Sequence, residues 1–297
     1  LSDLPGLQAA AGRGAVIPVY VLDEQLGEHW RIGSASRWWL HNSLTALQDG
    51  LSTQGSELIL RSGDTARTLA AIATETGATA VYCSRHYQPW SDTLERSVKH
   101  AINSVGADLK RYPGTLLHEP EDIATGGGTP FKVFTPFWRA CKRCPDPSFP
   151  CPTPTLTALE TSVASEKLGD WCLTPTAPNW AFGWNGLWSP GETGAYRALT
   201  RFLRDHVQDY GDGRDIPSEP NTSKLSPYLR FGNISPRQVW HAAQLAKAEK
   251  PETADSIDKF LSELGWREFC YHLLFHFPHM PDEAFNPKFS LFPWGKD

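Results

Sequence analysis

The stretch Asn221-Thr-Ser-Lys-Leu-Ser-Pro-Tyr-Leu-Arg-Phe-Gly-Asn-Ile-Ser-Pro236 decides the fold of the second half of the chain. It places three hydroxyls, on Thr222, Ser223 and Ser226, where a helix is predicted to begin. The first N–H groups of a helix have no partner within the helix and carry positive partial charge, so they bind phosphate groups well. The stretch therefore predicts a phosphate-binding turn followed by a helix.

A second stretch, Glu263-Leu-Gly-Trp-Arg-Glu-Phe269, follows some thirty residues later. Residues at positions i, i+3, i+4 and i+7 share one face of a helix. The residues at these positions are Glu263, Trp266, Arg267 and Cys270. The pattern thus predicts a helical face that can stack on a planar ligand and hydrogen-bond its edge.

Both stretches resemble the photolyase/cryptochrome family, and within it the class I cyclobutane pyrimidine dimer photolyases. The family motif T-S-x-L-S-P-Y-L-x-F-G-x-I-S-P-R is followed by E-L-x-W-R-E-F in the same order and spacing. The resemblance implies a carbon–carbon lyase that repairs pyrimidine dimers in DNA, by light-driven electron transfer from reduced FAD to a flipped-out dimer. The alternatives are a cryptochrome-like blue-light receptor without repair activity, and a non-catalytic nucleotide-binding chain.

The resemblance also assigns roles to individual residues. The residues that it implies for FAD binding are Tyr210, Thr222, Ser223, Lys224, Leu225, Ser226, Phe260 and Arg267. Glu263 and Trp266 are the implied lesion contacts. The implied DNA contacts are Arg214, Arg230, Glu263, Trp266, Arg267 and Cys270. Trp294 resembles the outermost member of the family's electron-transferring tryptophan chain, whose inner members would lie beyond residue 297.

Composition sets the broad class of the protein. Of the 297 residues, 40% are hydrophobic and 21% charged, which indicates a globular chain long enough for two domains. The net charge of −5 gives no overall nucleic-acid signal, so DNA binding would need a local basic patch. The six cysteines suggest neither a disulfide framework nor a convincing zinc site, and no signal peptide or membrane-spanning run appears. We expect a cytoplasmic monomer with no metal.

Strand and helix patterns alternate in the first part of the chain. Strands are predicted at 15–22, 57–61, 79–84 and 107–112, and helices at 35–50, 64–77 and 92–106. This alternation predicts a doubly wound, Rossmann-like parallel sheet. We predict an α/β antenna domain over 1–115, a Gly- and Pro-rich connector over 116–188 and the N-terminal part of a helical FAD-binding domain over 189–297.

The helical domain is predicted to start with a capping box at Ser189-Pro-Gly-Glu192. Apolar residues then recur at helical spacing from Ala195 to Tyr210, and Gly211 is predicted to end that helix. Two more helices are predicted, from Ser235-Pro236 to about Lys250 and from Ala254 to Phe277. The resemblance places further helices after residue 297 and a first strand before Leu1.

Two segments of the α/β part resemble the family region that holds an antenna pigment. They are Gly33-Ser-Ala-Ser-Arg37 and Arg85-His-Tyr-Gln-Pro-Trp90, the second at the carboxyl end of a predicted strand, where open α/β sheets bind ligands. Members with a folate antenna carry an Asn-Glu pair soon after the conserved Tyr, and Trp90 and Ser91 stand in those places. This departure argues against folate and leaves a deazaflavin, another flavin or no antenna open.

Overall fold

The computed structural model of the protein describes residues 1–27, 31–159, 162–293 and 295. Its first part alternates helices and strands, as the sequence predicts. The elements in chain order are α1 Pro5–Ala11, β1 Val19–Leu22, α2 Ser34–Ser52, β2 Ile59–Ser62, α3 Thr65–Thr76, β3 Ala80–Ser84, α4 Ser91–Ser104 and β4 Asp108–Tyr112. In the part of the following connector that the structure describes, the α-helix is α5 Phe134–Cys141.

The four strands form two parallel pairs. Val19 of β1 lies opposite Ile59 of β2, and Ala80 of β3 lies opposite Asp108 of β4. The predicted parallel pairing is thus confirmed. A continuous sheet needs neighbouring strands about 4.8 Å apart and joined by hydrogen bonds. Within the described residues the two pairs are not joined in this way, so the predicted single sheet is present as two two-stranded sheets.

From Glu192 onward the described elements are all helical. They are α6 Glu192–Arg201, a π-helical turn Phe202–His206, α7 Tyr210–Gly213, α8 Ser226–Arg230, α9 Pro236–Glu249 and α10 Ala254–His276, with short 3₁₀ turns at Pro251–Thr253 and Pro287–Leu291. The predicted bounds of α9 and α10 are confirmed to within one residue. A capping box fixes the start of α9: Ser235 accepts from the Gln238 N–H and the Gln238 side chain accepts from the Ser235 N–H.

The start of the helical part differs from the prediction. Gly191, at φ +104°, is the cap residue of α6, and no side chain caps this helix, so the capping box predicted at Ser189 is wrong. The Ser189 backbone folds over Gly194, where a Cβ atom would lie 1.6 Å from the Ser189 carbonyl oxygen. Ser189 is therefore not placed to bond the first N–H groups of α6. The predicted run to Tyr210 is also interrupted by the π-helical turn, and Gly211 lies inside α7.

The largest cluster of buried side chains joins the α/β part to the helices. It includes Trp38 and Trp39 of α2, Phe137 of α5 and Phe260 of α10. The Trp39 indole N–H donates to the Asn233 side chain at 2.9 Å, which ties α2 to the loop before α9. The packing links the predicted domains, whose boundaries stay a prediction. None of the described helices is both long and apolar enough to cross a membrane.

Candidate functional site

The candidate cofactor site is centred on α7 and the first half of α10. Tyr210 is 6% exposed and packs edge-on against Phe202 and Phe260, with ring centroids 5.4 and 5.7 Å away. The Lys259 ammonium donates to the Gly211 carbonyl, and the Ser256 hydroxyl donates to the Gln208 carbonyl at 2.9 Å. These contacts hold α7 on α10 and bring together two of the predicted FAD-binding residues, Tyr210 and Phe260.

The predicted phosphate-binding loop lies next to α7. A Cβ atom on Gly213 would lie 2.1 Å from the Asn221 side-chain nitrogen, so the glycine allows this close approach. Leu225 is buried, and it anchors the loop in the core. Lys224 has φ +53°, in the left-handed region, and it is exposed together with Thr222 and Ser226. No side-chain hydrogen bond of these three residues is present within the described residues, so their polar groups are open to a ligand.

The helix after the predicted phosphate-binding loop is too short to contribute much to anion binding. The helix that follows the loop, α8, has only five residues. A helix macrodipole is a sum over aligned peptide units, so five residues give little of it. The groups of this loop that suit an anion are instead the hydroxyls and the Lys224 ammonium.

The candidate lesion face lies one turn further along α10. The Glu263 carboxylate accepts a hydrogen bond from the Arg214 guanidinium, which also lies over the Tyr210 ring at 5.6 Å. The hydrogen bond to the Glu263 carboxylate favours the charged form of Arg214 and, with a contribution from Asp215, raises its pKa above the usual value although burial opposes the shift. Trp266 is 43% exposed. The structure therefore brings Arg214 and Glu263 beside Tyr210, and Trp266 lies one turn after Glu263 on α10.

Phe134 is a further residue of this face that the sequence reasoning did not assign to it. Its ring stacks on the Trp266 indole with centroids 3.8 Å apart and planes inclined by 11°. Phe134 lies 132 residues before Trp266, on the connector helix α5. Helical periodicity reports neighbours on one helix, so it gave no sign of this contact.

The Arg267 side chain contacts the connector and its own helix. Its guanidinium donates to the Thr115 carbonyl at 2.8 Å and to Glu268 at 3.3 Å, and it covers the Tyr271 ring at 4.9 Å. These contacts attach α10 to the start of the connector. Nothing in this placement supports contact with FAD or DNA phosphates, and that role of Arg267 stays a prediction.

Glu268, next to Arg267, is the most deeply buried carboxyl group of this region. It is 2% exposed and accepts hydrogen bonds from the N–H groups of Leu117 and His118 at 2.8 and 3.2 Å. Burial raises the pKa of Glu268 to about 7, although Arg267 and the two N–H groups oppose the shift. One turn on, His272 accepts from the Phe131 N–H at 3.1 Å, and burial lowers its pKa to about 4. Both residues join α10 to the connector.

Two predicted residues lie outside the contacts just described, and a third is not among the described residues. Arg230 is exposed on α8, with its guanidinium 5.7 Å from the Phe231 ring, and within the described residues it makes no hydrogen bond or ion pair with Glu263 or Trp266. Cys270 is exposed one turn after Trp266 on α10. Trp294 lies outside the described residues. Their roles stay predictions.

A cavity of about 930 Å³ opens beside the carboxyl ends of β1 and β2. It is lined by Arg37, Trp90 and Trp171, together with carboxylates such as Asp23 and Asp64. Arg37 and Trp90 come from the two segments singled out in the sequence as an antenna region. Arg85, from the same segment as Trp90, instead pairs with Glu119 of the connector at 2.5 Å. Among the described residues no group of three or more potential metal ligands is found.

Sequence comparison matches these parts of the chain to known protein families. The family model described as DNA photolyase matches residues 1–155, just over half of the chain. The chain belongs to the DNA photolyase family. A second family model, described as the FAD binding domain of DNA photolyase, matches residues 260–297. The family predicted from the two sequence motifs is thereby confirmed.

Individual photolyases and cryptochromes match most or all of the chain. The deoxyribodipyrimidine photo-lyase of Agrobacterium fabrum is 42% identical over 299 residues, which are 100% of this chain and 61% of the relative. Cryptochrome-2 of Arabidopsis thaliana is 32% identical over 312 residues, 100% of this chain and 50% of the relative. The crystal structure of a class III photolyase from Agrobacterium tumefaciens superposes with a TM-score of 0.94 at 42% identity, covering 100% of this chain and 61% of that one.

The photolyase fold is therefore shown for this chain. The chain spans about three fifths of the length of the photolyases it matches. Because the matching solved structure is a class III photolyase, the class I assignment from the sequence motifs stays a prediction.

Proposed function

We propose that this chain supplies the first part of the FAD site and the lesion-binding face of a photolyase that repairs cyclobutane pyrimidine dimers in DNA. The observation that carries the proposal is the half-exposed Trp266 one turn after Glu263 on α10, where the Glu263 carboxylate binds the Arg214 guanidinium that lies over the Tyr210 ring. A flat apolar ring and a carboxylate suit an extruded pyrimidine dimer, which packs against an aromatic face and presents N–H groups at its edge.

The described residues fit the phosphate and ribityl parts of FAD. Thr222, Lys224 and Ser226 present exposed donors that have no hydrogen-bond partner among the described residues, and Lys224 carries the positive charge that a pyrophosphate needs. Tyr210 and Phe260 form an apolar wall beside them. When bound in its reduced form, FAD supplies the light-driven electron that weakens the ring bonds of the dimer. The chain's own residues bind the cofactor and hold the dimer next to it.

Glu263 and Arg214 define the polar edge of the lesion face. Within the described residues, one oxygen of the Glu263 carboxylate accepts from Arg214, and the other has no hydrogen-bond partner. The second oxygen can accept from a pyrimidine N–H, while Arg214 keeps the carboxylate oriented. Exposed Arg230 is a DNA phosphate contact in this proposal, separate from the lesion face.

The first test is repair of a DNA oligomer that carries one thymine dimer, by the full-length protein containing this chain and reduced FAD. Thymines should be restored in light and remain dimerised in the dark. Equal dimer loss in light and dark would refute the lyase proposal. No repair with flavin bound, together with equal affinity for damaged and intact DNA, would favour the cryptochrome-like receptor, which the match to a cryptochrome keeps as the second candidate.

A Trp266→Ala substitution tests the lesion face itself. Base–aromatic stacking contributes roughly 1–3 kcal/mol, so affinity for dimer-containing DNA should fall about 5- to 150-fold while flavin retention is unchanged. Trp180→Ala is the matched control, because Trp180 is 41% exposed and Trp266 43%. Loss of flavin with unchanged DNA affinity would assign Trp266 to the cofactor site instead.

The remaining parts of the proposal concern the α/β part and the assembly. The cavity beside β1 and β2 is proposed to hold a second, light-harvesting chromophore, and folate remains disfavoured by Trp90 and Ser91. The layout of an antenna domain over 1–115, a connector over 116–188 and a helical domain over 189–297 is part of the same proposal. The protein is proposed to act as a cytoplasmic monomer on damaged DNA.

A further inference from the structure

The Trp266 ring is the outermost member of an aromatic stack that crosses from α10 to the connector. Phe134 stacks on Trp266 at 3.8 Å, with the planes inclined by 11°. Trp138, one turn further along α5, lies almost parallel to Phe134, with centroids 6.4 Å apart and an interplanar angle of 12°. One face of the Trp266 indole is therefore covered by Phe134.

The inner end of this stack is fixed against α10. Trp138 is 8% exposed, and a Cβ atom on Gly265 would lie 2.6 Å from its indole ring. The absence of a side chain at Gly265 thus lets Trp138 approach the helix backbone directly beside Trp266. Phe269 also contacts Phe134 and Trp266 edge-on, at 5.9 Å in each case. The stack cannot shift along α10 without losing these contacts.

We infer that Phe134 is a positioning residue of the lesion site: it holds the Trp266 indole in one orientation and leaves the opposite face of the ring for the base. This inference rests on the proposed function. A half-exposed tryptophan on a helix surface would otherwise sample several rotamers, and a ligand that stacks on it would have to order it. Holding the ring in its binding orientation beforehand removes that cost from the binding step.

The inference extends the lesion site to the connector. Phe134 itself is only half-buried, whereas Phe137 and Trp138 of the same helix are buried. Core packing accounts for the two buried residues. It does not require the half-buried Phe134 to lie parallel to Trp266 at van der Waals distance. The parallel stacking of the two rings is explained if Phe134 supports the face of the Trp266 indole that is turned away from the base.

The test compares Phe134→Leu with Phe134→Tyr in the full-length, flavin-loaded protein. Leucine keeps much of the apolar volume and removes the stacking, whereas tyrosine keeps the ring. Phe134→Leu should weaken binding to dimer-containing duplex about two- to tenfold and leave binding to intact duplex unchanged, and Phe134→Tyr should restore the affinity. Unchanged or tighter dimer binding by Phe134→Leu would overturn the inference. It would show that Trp266 binds the dimer equally well when Phe134 does not cover one face of its indole.

A double-mutant cycle separates positioning from general stability. If Phe134 acts through Trp266, Phe134→Leu should cause no further loss of dimer affinity in a Trp266→Ala background. An equal loss in both backgrounds would overturn the inference. Phe149→Leu is the matched control, because Phe149 is an exposed connector phenylalanine that stacks on His241 at 4.3 Å, outside the aromatic stack just described.

The same measurements distinguish this inference from the proposed function. If the unsubstituted protein does not prefer dimer-containing DNA, the proposed function fails. If it does prefer such DNA and loses the preference in Trp266→Ala but not in Phe134→Leu, the inference alone fails.

Discussion

Replacing Arg237 should expose how strongly α9 is tied to the start of the chain. The Arg237 guanidinium donates to the Asp3 carboxylate through Nε at 3.0 Å and through Nη2 at 2.6 Å. The Asp3 side chain is 0% exposed and that of Arg237 13%. The Ser235 hydroxyl and the Cys151 N–H also donate to Asp3, the latter at 3.0 Å. This is a buried bidentate ion pair that connects three distant segments.

Arg237→Ala would leave the Asp3 carboxylate buried with only the neutral donors of Ser235 and Cys151. Breaking a buried ion pair from one side typically lowers the free energy of unfolding by about 3–5 kcal/mol, because the remaining charge is uncompensated. We expect a loss in this range by urea unfolding followed by circular dichroism. The free energy of unfolding of Arg237→Lys should lie between those of the wild type and Arg237→Ala, since an ammonium cannot make both parallel hydrogen bonds.

The double variant with Asp3→Ala and Arg237→Ala provides the decisive comparison. It should be more stable than Arg237→Ala alone, because it no longer buries an unpaired charge. Arg96→Ala is the control, since the Arg96–Asp92 pair is exposed by 72% and 77% and should contribute little. A loss of less than about 1 kcal/mol for Arg237→Ala, or a less stable double variant, would refute the reasoning.

Two further predictions concern α10. Gly265→Ala would place a methyl group 2.6 Å from the Trp138 indole, so the free energy of unfolding should fall by about 1–3 kcal/mol. Gly33→Ala is the control, because no atom lies within 4 Å of the new Cβ. Equal stabilities of the two variants would contradict the predicted clash with Trp138. Because burial raises the pKa of Glu268 to about 7, its contribution to stability is full below the unfolded-state pKa and is lost as the pH rises toward 7. Relative to the wild type, Glu268→Gln should therefore gain stability over that window by at most about 1.4 kcal/mol per pH unit, measured as the difference between urea unfolding curves, and a difference independent of pH would contradict the assignment.

The sequence predicted well those features that depend on neighbours along the chain. The bounds of α9 and α10 follow from helical periodicity and from the Ser235 cap. The shared face of Glu263 and Trp266 follows from their spacing on one helix. At Ser189 the same kind of local reasoning failed, because Gly191 adopts φ +104° and turns the chain before the helix begins. A capping motif predicts a cap only where the backbone follows the usual approach to a helix.

Contacts between distant segments could not be predicted in this way. Phe134 covers Trp266, and Thr115 binds Arg267, across 132 and 152 residues of sequence. Both arise from the way the connector lies on α10, which depends on packing of the whole core. The family resemblance assigned Arg267 to phosphates because it carries over residue types and positions. The direction of a long side chain also depends on which acceptors surround it.

The helix α10 combines two tasks on different faces, and this has a consequence for the site. Trp266 and Glu263 face the proposed ligands, while Glu268 and His272 accept hydrogen bonds from connector N–H groups. Because an α-helix is stiff over a few turns, a shift of the connector side is transmitted to the ligand side as a movement of the whole segment. Phe134 belongs to the same connector and contacts the ligand side directly. The connector thus fixes α10 from both faces, which is how a helix can present a half-exposed indole in one orientation.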